Sequence, residues 1–205
     1  MNATLPAPSP GTPGEGWAEQ WITLALTLSA LLVQASPSLQ SALQFDRHAI
    51  TAGEVWRIVT GHFTHWSFKH FLWDLAVFVA LGAACERLNR SKMIWTIASS
   101  IPMISLFAAP QQGTYRGLSG IDSALFVLLA VMTHQNHPRV IFLLLAGFVL
   151  RSCYELATGH TIFVDNTASG FVPVPLAHII GGACGMVVGL WPFAHSSRPI
   201  TIART

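Results

Sequence analysis

Charge is scarce in this chain. Of its 205 residues only 10% are charged, against 52% that are apolar, and the mean hydropathy is +0.51. A water-soluble domain carries roughly 25% charged residues, so a soluble fold is excluded and a membrane protein is expected. Cysteine is nearly absent too: Cys85, Cys153 and Cys184 are odd in number and show no CxxC spacing. That argues against a disulfide framework and reads as small buried residues. There is no HExxH metal-binding signature and no internal repeat, and no extramembrane domain is expected. Residues 1–16 contain no lysine or arginine but hold Pro6, Pro8, Pro10 and Pro13. They predict a flexible tail without the basic start of a secretory signal, hence no cleaved leader. A short C-terminal tail, 195–205, carries Arg198 and Arg204.

What the chain does have is long apolar runs. Crossing the hydrocarbon core takes about twenty apolar residues, and runs of that kind predict six spans, at 17–36, 67–85, 92–109, 118–134, 139–157 and 175–194. The expected fold is an all-α membrane protein with a six-helix domain over 17–194. Asp74 falls in the second span and Arg151 and Glu155 in the fifth. Charges inside spans are costly and face the bundle interior.

With six spans, the second, fourth and sixth helices run in one direction, and their starts meet at one face of the membrane. Those starts carry Thr64, His65, His70 and Asp74, then Ser119, then His178. Ser119 sits in Tyr115-Arg116-Gly117-Leu118-Ser119-Gly120, where flanking glycines leave the hydroxyl uncrowded and the first helical turn points unpaired N–H groups at whatever binds there. His178, in Pro175-Leu176-Ala177-His178, also opens an apolar run. A nucleophile, a base and further donors at one depth are the components of acyl-transfer chemistry. Each polar residue alone reads as a separately satisfied bundle side chain; it is their convergence that points to chemistry. His134, His137 and His195 fall on the opposite face and read as surface residues, while Trp17, Trp21, Trp66, Trp95 and Trp191 fit an interfacial belt.

Lysine and arginine divide six to four between the faces. Arg87, Arg90, Lys92, Arg139, Arg198 and Arg204 lie on the side of the termini, and Arg47, Arg57, Lys69 and Arg116 on the serine side. Positive residues in short loops stay cytoplasmic, which predicts termini inside and the serine face outside, periplasmic in a bacterial inner membrane.

The motif Gly117-Leu118-Ser119-Gly120 resembles the GxSG of rhomboid intramembrane serine proteases, and Ala177-His178 with Gly181 and Gly185 resembles that family's AHxxGxxxG helix. Trp56-Arg57, Thr60, His65, Ser67, His70 and Leu72, then Leu81-Gly82 and Glu86-Arg87-Leu88, are similar to its first loop and histidine-bearing helix. The resemblance spans roughly residues 56–190 and implies a dyad of Ser119 as nucleophile and His178 as general base, then acid. It also implies an oxyanion hole at His70, the Ser119 N–H and position 74, beside Gly117 and Leu118. Asp74 departs from the family's usual asparagine. An ionised carboxylate only accepts hydrogen bonds, so it is expected to be protonated, turned away, or paired with His70 to fix its tautomer. A second departure is Ser123, where the family often places a tyrosine on the catalytic histidine; Asp122 or Ser123 is expected to orient His178 by hydrogen bonding, unless Asp122 turns to water or to Arg116.

Gly181, Gly185 and Gly189 form a small-residue stripe that admits close approach of the fourth helix at Gly120 and Ala124. The substrate the resemblance implies is a transmembrane segment of another protein, unwound near the interface where water is admitted, with the loop Thr158 to Val174 as a mobile cap. The compact chain and Asp74 suggest the rhombosortase-like branch, which trims membrane anchors. No cofactor, metal or nucleic-acid partner is called for. Two rival readings are an inactive client-binding relative and a metal-dependent hydrolase built on His65, His70, Asp74, Asp122 and His178.

Overall fold

Two short sequence signals shape the first half of the chain. Ser36 accepts from the Leu39 N–H with Pro37 at the first helical position, which starts a new helix at a sharp angle to the one before. Asn89 interrupts a forty-residue helical run with extended backbone angles, and its Oδ1 accepts from Lys92 N at 2.9 Å, so it caps the second half of that run. In the computed structural model, residues 20–111, 113–160 and 174–192 are described. The tails, Trp17 and most of the proposed cap loop lie outside them.

The described helices are α1 (Trp21–Gln34), α2 (Pro37–Leu43), α3 (Arg47–Thr51), α4 (Arg57–Thr60), α5 (Phe68–Phe107, broken at Asn89), α6 (Ser119–Thr133), α7 (Pro138–Thr158) and α8 (Pro175–Leu190). Two-residue strands β1 (Phe45–Asp46) and β2 (Thr114–Tyr115) pair antiparallel, Phe45 with Tyr115. The all-helical class agrees with the sequence, and each expected span is occupied by helix. The six crossings remain an expectation from hydropathy, since helix length and composition single out fewer. Among the described residues only Pro138–Thr158 is by itself long and apolar enough to cross a bilayer; α1 and α2 pass only as a pair bent by 111°. Helices α6 and α8 are shorter apolar helices. The expected 67–85 and 92–109 lie in the two halves of α5, two helices that meet at the kink at Asn89.

The core lies between both halves of α5, α6 and α8, with Met93, Ile97 and Ile101 contributed by the second half of α5. Phe71, Phe78, Cys85, Leu118, Ile121, Leu125, Leu128 and Val188 are buried there. Close packing depends on glycine: a methyl at Gly181 would overlap the Gly120 carbonyl, and one at Gly185 the Ala124 carbonyl. A methyl at Gly189 would crowd the Val131 side chain at 2.9 Å. Helix α7 is peripheral, with Phe142, Leu143 and Leu150 exposed and only Ser152 and Glu155 buried. Cys153 on this helix is exposed, unlike buried Cys85 and Cys184, and all three are free.

Charged side chains close the helix ends. Glu86 is buried and accepts from Ile22 N (3.1 Å), Thr23 N (2.8 Å) and Thr23 Oγ1 (2.7 Å), capping α1, which has no side-chain cap of its own. Lys92 Nζ donates to the Gly189 carbonyl at 2.6 Å near the end of α8.

Candidate active site

The Ser119 loop is held from beneath. Gly117 has φ +139°, a conformation that favours glycine, and its carbonyl accepts from the Tyr115 hydroxyl at 3.0 Å. Burial pushes the Tyr115 phenol up from its ordinary value. The β1–β2 pairing fixes Tyr115 against Phe45, so the loop enters α6 from a set position with Leu118 fully buried. The Ser119 and Gly120 N–H groups then occupy the first turn of α6, where no intrahelical acceptor exists.

His178 sits on the first turn of α8, started by Pro175. Across the glycine stripe its Nε2 lies 3.1 Å from Ser119 Oγ. The hydroxyl and an imidazole nitrogen are therefore within hydrogen-bonding reach, as general-base activation of a serine requires.

The other ring nitrogen does not meet the residues expected from the sequence. Ser123 Oγ donates to the Ser119 carbonyl at 2.9 Å, bonding back along its own helix. Asp122 is buried, with Oδ1 lacking a hydrogen-bond partner among the described residues, and Arg116 does not pair with it. Instead His178 Nδ1 lies 2.9 Å from Oε2 of fully buried Glu155, whose Oε1 accepts from Arg151 Nε at 2.9 Å. The sequence carried a signal for this pair: two charges four residues apart near the end of the fifth apolar run, at the depth where the sixth begins.

A second cluster adjoins the serine loop. Asp74 Oδ2 is 3.1 Å from His70 Nε2 and 3.4 Å from His65 Nε2, so the pairing with His70 is one of the arrangements expected. Both contacts are close enough for electrostatic attraction, but neither is aligned as a hydrogen bond. Burial lowers the affinity of His65 for a proton, with Asp74 opposing. A methyl at Gly117 would lie 3.4 Å from His70 Cε1 and 3.6 Å from Asp74 Oδ2, which places this cluster against the loop two residues before Ser119. Arg116 closes the outer side: Nε donates to Gln44 Oε1 at 2.8 Å, Nη1 to the His65 carbonyl at 3.3 Å, and the guanidinium stacks 4.7 Å over Trp66. The five residues of the metal-hydrolase reading divide between these clusters. Among the described residues no three His, Cys, Asp or Glu side chains are grouped to hold a metal ion. His134 and His137 are exposed at the far end of α6.

The first loop explains its own motif. Arg57 pairs with Glu54 at 2.7 Å and donates to the carbonyls of Ser41 and Gln44, both at 3.0 Å. Thr60 Oγ1 donates to the Leu43 carbonyl at 2.7 Å, and His62 Nε2 lies 3.0 Å from Ser105 Oγ. These bonds hold the segment that carries Gln44 and Phe45 against the serine loop.

Fold and site together define a helical membrane protein with a serine–histidine pair at the starts of two packed apolar helices. The chain belongs to the rhomboid family: that family's domain model matches residues 52–195. Among curated relatives, Rhomboid protease GlpG of Yersinia pestis (strain Pestoides F) is 27% identical over 175 residues, covering 83% of this chain and 60% of that protein. The protein of the same name from Haemophilus influenzae (strain ATCC 51907 / DSM 11121 / KW20 / Rd) is 26% identical over 190 residues, covering 85% of this chain and 91% of that protein. The chain thus spans 60% of the length of the Yersinia relatives it matches.

Proposed function

We propose that the chain is an intramembrane serine endopeptidase that cleaves transmembrane segments or membrane anchors of client proteins, with Ser119 as nucleophile and His178 as base. The single observation that carries this reading is the 3.1 Å approach of Ser119 Oγ to His178 Nε2 at the starts of two apolar helices. Ser119 Oγ attacks the scissile carbonyl carbon as its proton passes to His178 Nε2. The tetrahedral intermediate collapses, the C–N bond breaks, and His178 returns the proton to the leaving amine. Water then attacks the acyl-serine, giving its proton to His178, and the new carboxyl end departs as Ser119 recovers its hydroxyl. The Ser119 N–H, at the positive end of α6, stabilises the oxyanion, and His70, held by Asp74 beside Gly117, is the proposed second donor.

The membrane arrangement belongs to the same proposal. The domain at 17–194 crosses the bilayer six times with both tails cytoplasmic and the site on the periplasmic side of a bacterial inner membrane. Fifteen residues in α6 span about 22 Å, less than the roughly 30 Å hydrocarbon core. With its far end at the cytoplasmic interface, Ser119 therefore lies below the opposite surface, where a membrane helix can be presented. The narrower assignment to rhombosortase-like anchor trimming rests on Asp74, and comparing membrane proteomes of deletion and Ser119→Ala strains tests it by the class of protein released.

Labelling with a fluorophosphonate tests the serine chemistry. Wild type should be labelled, while Ser119→Ala and His178→Ala should both be silent yet folded, because nucleophile and base act as one unit. Labelling that persists in either variant contradicts the assignment.

A further inference from the structure

The Glu155–Arg151 pair is a larger commitment than a peripheral helix needs. Helix α7 exposes apolar side chains along most of its length and buries only Ser152 and Glu155. A carboxylate inside an apolar span is costly and is retained where it meets a partner. Glu155 meets two: His178 Nδ1 on Oε2 and Arg151 Nε on Oε1, both at 2.9 Å. Arg151 is part-exposed, so its charge reaches the edge of the bundle while the carboxylate it balances is shut inside.

We propose that Glu155, seated by Arg151, is the positioning residue for His178, making the site a serine–histidine–glutamate relay rather than a dyad; this rests on the serine-hydrolase reading above. A carboxylate only accepts, so its bond to Nδ1 requires the ring proton to be on Nδ1. Nε2 is then left bare, facing Ser119 Oγ at 3.1 Å as an acceptor for the hydroxyl proton. When that proton arrives, the imidazolium stands next to a fixed negative charge, and the bond fixes the ring plane in both states. Arg151 occupies the other carboxylate oxygen, which fixes the orientation of Glu155 and balances its charge. Asp122 and Ser123, closer in sequence to the nucleophile, do not reach the ring.

A purely structural role would also place an ion pair here, pinning α7 to α8, and the test separates the two. Glu155→Gln, Glu155→Asp and the double variant Glu155→Gln/Arg151→Met are compared with wild type in detergent. The readouts are the rate of fluorophosphonate labelling, the thermal midpoint, and the tautomer of His178 by NMR of histidine-15N-labelled protein. Wild-type His178 should carry its proton on Nδ1 with a strongly downfield resonance. Glu155→Gln should label at least about a hundredfold more slowly, and Glu155→Asp should recover part of the rate. The double variant, which leaves no uncompensated guanidinium, should regain the thermal midpoint of wild type but not its labelling rate. The proposal is overturned if wild-type Nδ1 is unprotonated, if Glu155→Gln labels at the wild-type rate, or if the double variant recovers rate and midpoint together. Absence of labelling in wild type would count against the hydrolase reading alone, with the tautomer then deciding the role of Glu155.

Discussion

Asp74 faces two imidazoles with one oxygen, His70 at 3.1 Å and His65 at 3.4 Å, and this geometry decides how a carboxylate can occupy a position where the rhomboid pattern has an amide. In the proposed reaction it acts through His70 rather than on the substrate oxyanion, which a carboxylate would repel. Asp74→Asn keeps an acceptor and adds a donor, so cleavage of a model transmembrane substrate should stay within about tenfold of wild type. Asp74→Leu should cost about a hundredfold or more, since it removes the partner of a buried histidine and disturbs a proposed oxyanion donor. If Asp74→Asn is as inactive as Ser119→Ala, the carboxylate itself takes part in the chemistry. His62 gives a pH signature. Burial holds its pKa at about 4 against an ordinary 6.5, so it stays neutral in the fold at a pH where the unfolded chain is protonated. The unfolded state therefore binds more protons across that window, and stability falls as pH drops from 6.5 toward 4, by up to about 3 kcal/mol. Thermal midpoints at pH 7 and pH 5 should differ more for wild type than for His62→Gln; an equal difference would contradict a neutral buried His62. At this scale Ser119 and His178 were legible because their sequence neighbours, glycines and an apolar run, carry the signal. Glu155 was visible only as a charge interrupting hydropathy. Its partner is a side chain on the next helix, 23 positions away, and no local pattern encodes that contact.

The elements that set the Ser119–His178 distance are α6 and α8, and what sets their separation is the row Gly181, Gly185 and Gly189 against Gly120, Ala124 and Val131. A four-residue spacing of small residues is a periodic property, so this packing could be read before any coordinates. Gly185→Leu should force the helices apart, lowering the thermal midpoint and reducing cleavage by tenfold or more, because an ångström of misplacement between nucleophile and base costs about a hundredfold. A variant with unchanged midpoint and activity would place the stripe on lipid rather than on α6. The break in α5 was not legible in the same way. Asn89 is neither proline nor glycine, and the charged residues around it read as a loop between two spans; the connection is instead Asn89 itself, which leaves helical geometry and caps the second helix with its side chain. Nor does hydropathy anticipate the tertiary caps. Glu86 and Lys92 count as charges near a span end, but each completes the hydrogen bonding of a helix end remote in sequence.

For the molecule as a whole, the sparse charges are placed with economy. Glu86, Arg90 and Lys92 work at one end of the bundle, and Asp74, Arg116, Arg151 and Glu155 surround the serine and histidine at the other. Composition was enough to exclude a soluble protein, and helix direction was enough to bring Ser119, His178 and His70 to one face. Composition could not give helix length: α6 and α8 fall short of the spans expected from hydropathy, and this shortness is what sets the proposed depth of the site. The most direct test is cleavage in a bilayer. Protein reconstituted in vesicles with a model transmembrane substrate should yield two fragments divided within or beside the membrane segment, and Ser119→Ala vesicles should yield none. Intact substrate with wild type, or the same fragments from Ser119→Ala, would contradict the account.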